Sequence, residues 1–145
     1  MENEIKEVEK PITKLSKKNA KEYLQKMLDY YEIDIDEIED KKLKNAIKQG
    51  SDRLIKAIRY GRIEFKFENG IQVIQTLRSN GETITYEEIN GEAKTAMAGK
   101  HEDDFYGKSY ALMGSLSGWG ESAIKKLKGV DLSLVEVLGM IFLSV

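Results

Sequence analysis

The chain has no cysteine, a single proline, a single tryptophan and a single histidine among its 145 residues. Without thiols there is no disulfide framework and no thiolate metal site, so packing must supply the stability, and a reducing cytoplasm is the expected compartment. A long apolar run is missing as well. The best stretch, 130–145, falls short of the roughly 20 residues that cross a bilayer and carries Asp131 and Glu136, so a buried or partner-facing helix is expected and no membrane partner. Residues 1–10 alternate Glu and Lys with no apolar centre, which reads as a solvated tail over 1–12 rather than a secretory signal. Nor is there an excess of positive charge. The formal net charge of -2 lacks the overall field of a dedicated DNA-binding protein.

What is present suits one compact domain, since 41% hydrophobic residues can build a real core at this length. Pro11 marks the expected start of order, and Ser16 can cap a helix. Over 17–31 the residues Ala20, Tyr23, Leu24, Met27, Leu28 and Tyr31 recur at steps of three and four, which is one face of an amphipathic helix. The acidic stretch 32–40 alternates Ile33, Ile35 and Ile38 with carboxylates, but Asp and Glu disfavour strands, so it reads as a turn into a helix start. A second helix over 40–60 keeps Leu43, Ala46, Ile47, Gly50, Leu54, Ala57 and Ile58 on one face, with Gly61 as its C-terminal cap. Gly50 costs about 1 kcal/mol relative to Ala inside a helix. Close approach of another backbone, or a kink, would account for it.

After Gly61 the period changes to two, with Ile63, Phe65 and Phe67 alternating with charged residues as in a half-buried strand. A two-residue Asn69-Gly70 turn would set Phe67 against Gln72; a three-residue loop 68–70 with Gly70 left-handed instead pairs Phe67 with Ile71 and Phe65 with Val73. The second Asn-Gly, at 80 and 81, leads to a short strand over 82–86 and completes a meander. Thr85 and Glu88 have capping-box spacing, which predicts a helix start there, and 90–101 reads as one short helix and a loop. Asp103 or Asp104 starts the next helix, striped by Phe105, Ser109, Leu112, Met113 and Leu116 and closed by Gly118. A short helix over 121–128 and a terminal helix capped by Asp131 follow. The fold class is therefore α+β, a single domain over 13–145 that is helical over 13–61, a β-meander over 62–86 and helical over 87–145.

Chemical motifs are few. Ala98-Gly99-Lys100-His101 has part of a phosphate loop, but Lys94 stands where the first glycine is needed and His101 where Ser or Thr is needed. Asp34 and Asp36 lack the glycine and the bidentate glutamate of a calcium loop. His101 among Glu102, Asp103 and Asp104 reads as surface decoration. No nucleophile, base and orienting partner can be assembled, so no enzyme, cofactor or metal is expected. The basic residues Lys41, Lys42, Lys44, Lys48, Arg53, Lys56, Arg59 and Arg62 have no interleaved aromatics to stack bases, so a solvated face is the expectation, with a nucleic-acid-binding regulator using helix 40–60 as the alternative. Trp119, between Gly118 and Gly120, is either a core plug or a partner-binding anchor. The terminal helix is apolar on more than one face, so Leu134, Val137, Leu138, Ile141 and Phe142 are candidates for a partner surface. Periodicity alone does not separate that role from a place in the core.

One resemblance runs over 62–145. A hairpin, a connector with Glu and Gly, a helix ending in Leu116-x-Gly118, a short helix with Ile124 and Leu127, and an apolar helix starting at Asp131 and Leu132 and reaching Leu143 together resemble the phage tail assembly chaperone family of long-tailed phages and phage-like elements. Residues 71–77 supply the matching strand. Trp119 and the basic helix before the hairpin depart from that pattern. The resemblance implies a non-enzymatic protein that binds the long helical tape measure protein, keeps it soluble, and helps the tail tube protein polymerise around it; such chaperones often form homo-oligomers. A structural virion or tail component is a further alternative.

Overall fold

The computed structural model describes residues 14–145; the expected tail over 1–12 and the boundary at Pro11 lie outside the described residues. The architecture is α+β, with helices on either side in sequence of a three-stranded antiparallel sheet. Helix α1, Lys17–Tyr30, starts where Ser16 Oγ accepts from Asn19 N at 3.0 Å. A 3-10 turn, Ile35–Glu37, then carries the chain to α2, Lys41–Arg59. Asp40 caps α2 by accepting from Lys42 N and Leu43 N, which satisfies two of the otherwise orphaned first-turn donors. Gly61, at φ +73°, follows the last turn as expected.

Strands β1, Ile63–Lys66, β2, Gln72–Thr76, and β3, Thr83–Tyr86, run in the order β1-β2-β3. Phe65 pairs with Val73 as expected, but the ladder closes at Lys66–Gln72 and the expected Phe67–Ile71 pair is absent: Phe67 packs against the Tyr23 and Tyr30 rings, and residues 67–71 make the connection, with Asn69 and Gly70 both at positive φ. The β2–β3 register, which the turn sequence left open, pairs Val73 with Tyr86 and Gln75 with Ile84. One sheet face is therefore built from Ile63, Phe65, Val73, Gln75, Ile84 and Tyr86, all buried. Helices cover that face, as side-chain alternation with period two requires.

Beyond the sheet, α3 is Gly91–Thr95, α4 Phe105–Ser117, α5 Glu121–Lys125 and α6 Gly129–Phe142. The helix start expected at Thr85–Glu88 is not there. Thr85 belongs to β3, and Asn90 caps α3 by accepting from Ala93 N; ladder pairing of Thr85 with Ile74 outcompetes a local cap. Asp104 caps α4 through Gly107 N. Asp131, expected as the cap of α6, sits instead in its first turn, while Lys128 occupies the cap position without a side-chain bond.

Helix α6 is the centre of the molecule. It packs against α2 on one side and α4 on another, and this explains its apolar composition all round. Leu134, Val137, Leu138, Ile141 and Phe142 are all buried. The expectation that these five form a partner surface is corrected: they are core, and α6 is apolar on several faces because it has neighbours on several sides. Two small residues set the close crossings. At Gly50 an added Cβ would lie 2.7 Å from Val137 Cγ2, and at Gly139 one would lie 2.6 Å from Ser109 Cβ. The neighbour that Gly50 admits is thus the Val137 side chain, rather than the other backbone that was one of the two explanations open from sequence.

Candidate functional site

Of the residues singled out as partner contacts, Trp119 alone is at the surface, with 38% of its area exposed. It is therefore not the core plug that its size suggested. Its position follows from the glycines around it. Gly118 is left-handed and ends α4, donating to Ser115 O at 3.2 Å, and Gly120 at φ +87° donates to Gly114 O at 3.0 Å. Gly114 lies so close beneath the start of α5 that a Cβ there would sit 2.5 Å from Glu121 N. Trp119 N donates to Ser117 Oγ at 3.2 Å. Positive-φ glycines on both sides thus place Trp119 on the tight surface turn between α4 and α5.

The ring stands at one wall of an open cleft of about 310 Å³. Leu77, Ala123 and Leu127 form its apolar part, and Ser79, Asn80 and Glu82 of the β2–β3 turn form the opposite wall. That turn is tightly held. Leu77 N donates to Glu82 O at 2.7 Å, Gly81 N to Leu77 O at 2.9 Å, and Glu82 N to Asn80 Oδ1 at 2.9 Å. The buried Asp131 carboxylate then accepts from Arg78 N at 2.8 Å and Ser79 N at 3.2 Å. Its backbone oxygen accepts from Gln75 Nε2 at 2.9 Å, and Gln75 Oε1 accepts from Tyr86 OH at 2.8 Å. Burial, first, and the nearby Asp131 charge keep the Tyr86 hydroxyl protonated well above the ordinary tyrosine range. A satisfied buried network of this kind fixes geometry, because each member would be costly to leave unpaired. Here it locks the β2–β3 turn to the first turn of α6.

A shallower recess of about 280 Å³ continues from the cleft past Ser79 and Lys128 to Arg78, Val130 and Asp131. Arg78, Lys126 and Lys128 are exposed around the two. Among the described residues the ion pairs are Lys48–Asp36, Lys100–Glu121 and Lys125–Glu121, so these three cations are in none of them. Lys125 points its charge instead at Glu121, whose carboxyl is held below the usual range by the hydrogen bond from Lys100 and then that from Lys125. Glu82 is the acidic group on the cleft, and the Asp131 charge is already met by two N–H donors.

A second open groove, of about 480 Å³, lies between α2 and α6 beside Gly50, Val137, Met140 and the 55% exposed Tyr106. Its rim mixes Asp52, Arg53, Lys56 and Glu136. The other expected features resolve into local structure. Lys48 pairs with Asp36 at 3.0 Å, Lys44 Nζ donates to Asp36 O, and Arg59 Nε donates to Leu15 O, so part of the basic face of α2 is committed to its own chain. Asp34 caps the 3-10 turn through Asp36 N, and His101 Nδ1 accepts from Asp103 N. No helix among the described residues is long and apolar enough to cross a membrane.

Sequence reasoning overlooked Arg78, Lys126, Lys128 and the stapling role of Asp131. A signal for part of this was present, since Lys125, Lys126 and Lys128 follow Trp119 within nine residues. The approach of Arg78 depends on the β2–β3 turn meeting α6, a contact across more than fifty residues. No family model, no curated protein and no solved structure matches this chain.

Proposed function

We propose that the chain is a tail assembly chaperone: a non-enzymatic protein, working without cofactor in the host-cell cytoplasm, that binds the tape measure protein, keeps it soluble and assists assembly of the tail tube protein around it. The family assignment rests on the resemblance of 62–145 to those chaperones. The observation that supports a protein-binding role is the exposed Trp119, where the chain departs from that family's pattern, at a cleft within the module that bears the resemblance. Exposing tryptophan forgoes a large apolar burial, and such residues concentrate at the centres of protein interfaces. With the α6 residues in the core, the client contact moves to this cleft.

The test is affinity capture of the tagged protein from cells that also express its genomic neighbours, washed at low and at high salt, with bound proteins identified by mass. A long helical protein retained at high salt is the expected result. Recovery of nucleic acid that is lost as salt rises, without such a client, would overturn the reading and favour a regulator acting through α2. Finished particles should lack the protein; its retention there would instead make it a structural tail component.

A further inference from the structure

We infer that the Trp119 cleft takes an acidic, apolar segment of a partner protein, an apolar side chain seated against the indole and its neighbouring carboxylates meeting Arg78, Lys126 and Lys128. This rests on the reading of the chain as a protein-binding chaperone and specifies the chemistry of what it binds.

Three observations converge. Trp119, Leu127, Ala123 and Leu77 supply a contiguous apolar surface on the cleft, and the turn that carries Trp119 is fixed by the bonds from Gly118 N, Gly120 N and its own N–H. Lys126 and Lys128 line this surface against one carboxylate, Glu82, and Arg78 lines the adjoining recess that shares Ser79 and Lys128 with it; all three cations are exposed and outside every ion pair of the described residues. The protein as a whole carries a net charge of -2, so this local excess of positive charge runs against the molecular average and selects a partner of opposite sign. The Asp131 carboxylate, which would otherwise oppose an acidic ligand, is buried and spends its two oxygens on Arg78 N and Ser79 N.

The same cations with an aromatic ring could serve a single-stranded nucleic acid. The site favours protein. It offers one ring rather than a succession of stacking platforms, and the surface beside that ring is the aliphatic Leu77, Ala123 and Leu127.

Trp119 is the sole tryptophan, so its fluorescence reports this cleft and nothing else. The full chain is titrated with a synthetic helical peptide that presents Leu at i and i+4 flanked by Glu, and with the same peptide carrying Lys for Glu. The expected result is a change in Trp119 emission with the Glu peptide, binding at least about tenfold tighter than the Lys peptide, and a preference that reverses in Lys126→Glu/Lys128→Glu. Both substitutions are on exposed side chains, and an unchanged circular dichroism spectrum and thermal midpoint show that the variant folds. Absence of an emission change with the Glu peptide, equal response to the two peptides, or a response to oligothymidylate alone each overturns the inference, the last in favour of nucleic acid. Capture of the helical client by the double variant as well as by the wild type would retain the chaperone reading and sink the cleft's acidic specificity; a selective peptide response without any client captured would do the reverse.

Discussion

At the scale of single residues, the molecule depends on small side chains where helices cross. Gly50 faces Val137 so closely that the Cβ of Ala in its place would meet Val137 Cγ2 and Cβ at 2.7 and 2.9 Å. Overpacking of this kind costs about 1–3 kcal/mol, while Ala gains about 1 kcal/mol of helix propensity over Gly. Gly50→Ala should therefore destabilise by roughly 1 kcal/mol, and the penalty should vanish in a Val137→Ala background; a chemical-denaturation cycle over the four proteins measures the coupling. Ser109 offers the opposite case. Its buried hydroxyl has no hydrogen-bond partner among the described residues, so Ser109→Ala removes an unsatisfied group and should leave the thermal midpoint unchanged or higher. Asp131→Ala should cost about 1–3 kcal/mol and, more tellingly, speed hydrogen exchange at the Arg78 and Ser79 amides. In the sequence Gly50 left a close approach and a kink equally open, because a glycine inside a helix is compatible with both. Asp131 misled for a related reason: Asp near a helix start is the pattern of a cap, and nothing local shows that its carboxylate turns to a loop more than fifty residues away.

Between elements, short polar ties hold what the core does not. Lys100, in the turn region after α3, and Lys125 both reach Glu121 at the start of α5, at 2.7 and 3.1 Å. The folded-state carboxyl of Glu121 is held below the usual glutamate range, first by its bond from Lys100. Its contribution is thus fully present above the pKa of the unfolded chain and is lost as pH falls through the lower folded value. Glu121→Gln should be modestly less stable than wild type at neutral pH, and the gap in denaturation midpoints should close as the solution is acidified through the carboxylate range. A gap that persists at low pH would assign the effect to packing. The tie was not visible in the sequence, where Lys100 figured only in an incomplete phosphate-loop pattern, since its partner lies 21 residues on. Elements with a strong period were legible. The helices at 17–31 and 40–60, the strand through Ile63 and Phe65, and the pairing of Phe65 with Val73 were all readable from spacing and turn chemistry. The capping-box pattern at Thr85 and Glu88 failed because β2 supplies Thr85 with a better partner.

At the scale of the whole molecule, several tyrosine hydroxyls are tied into the interior. Burial above all pushes the Tyr31 hydroxyl up to about 12. Burial likewise raises Tyr86 and Tyr110, the latter also through its hydrogen bond to Glu136. A folded-state pKa above the unfolded one means that this stability is complete below the ordinary tyrosine range and is lost as pH rises through the folded values. Rapid alkaline titration, followed by tyrosinate absorbance, should show Tyr31, Tyr86 and Tyr110 silent until the chain unfolds, and Tyr86→Phe should lose one late-ionising group. Ionisation of all seven tyrosines before any loss of circular dichroism would contradict the buried placement.

Periodicity and backbone chemistry within a few residues of the chain sufficed for the α+β class, the helix faces, the meander and the Phe65–Val73 register, though not for the Phe67–Ile71 pair. The sequence also marked Trp119 as unusual. Long-range packing encloses α6, leaves Trp119 at the surface, and brings Arg78 to a recess that shares Ser79 and Lys128 with the Trp119 cleft. The physical reason is common to all three. An apolar helix face is the same pattern whether a neighbour in the fold or a partner covers it, and the neighbours of α6, the helices α2 and α4, are set by long-range packing that no local spacing records.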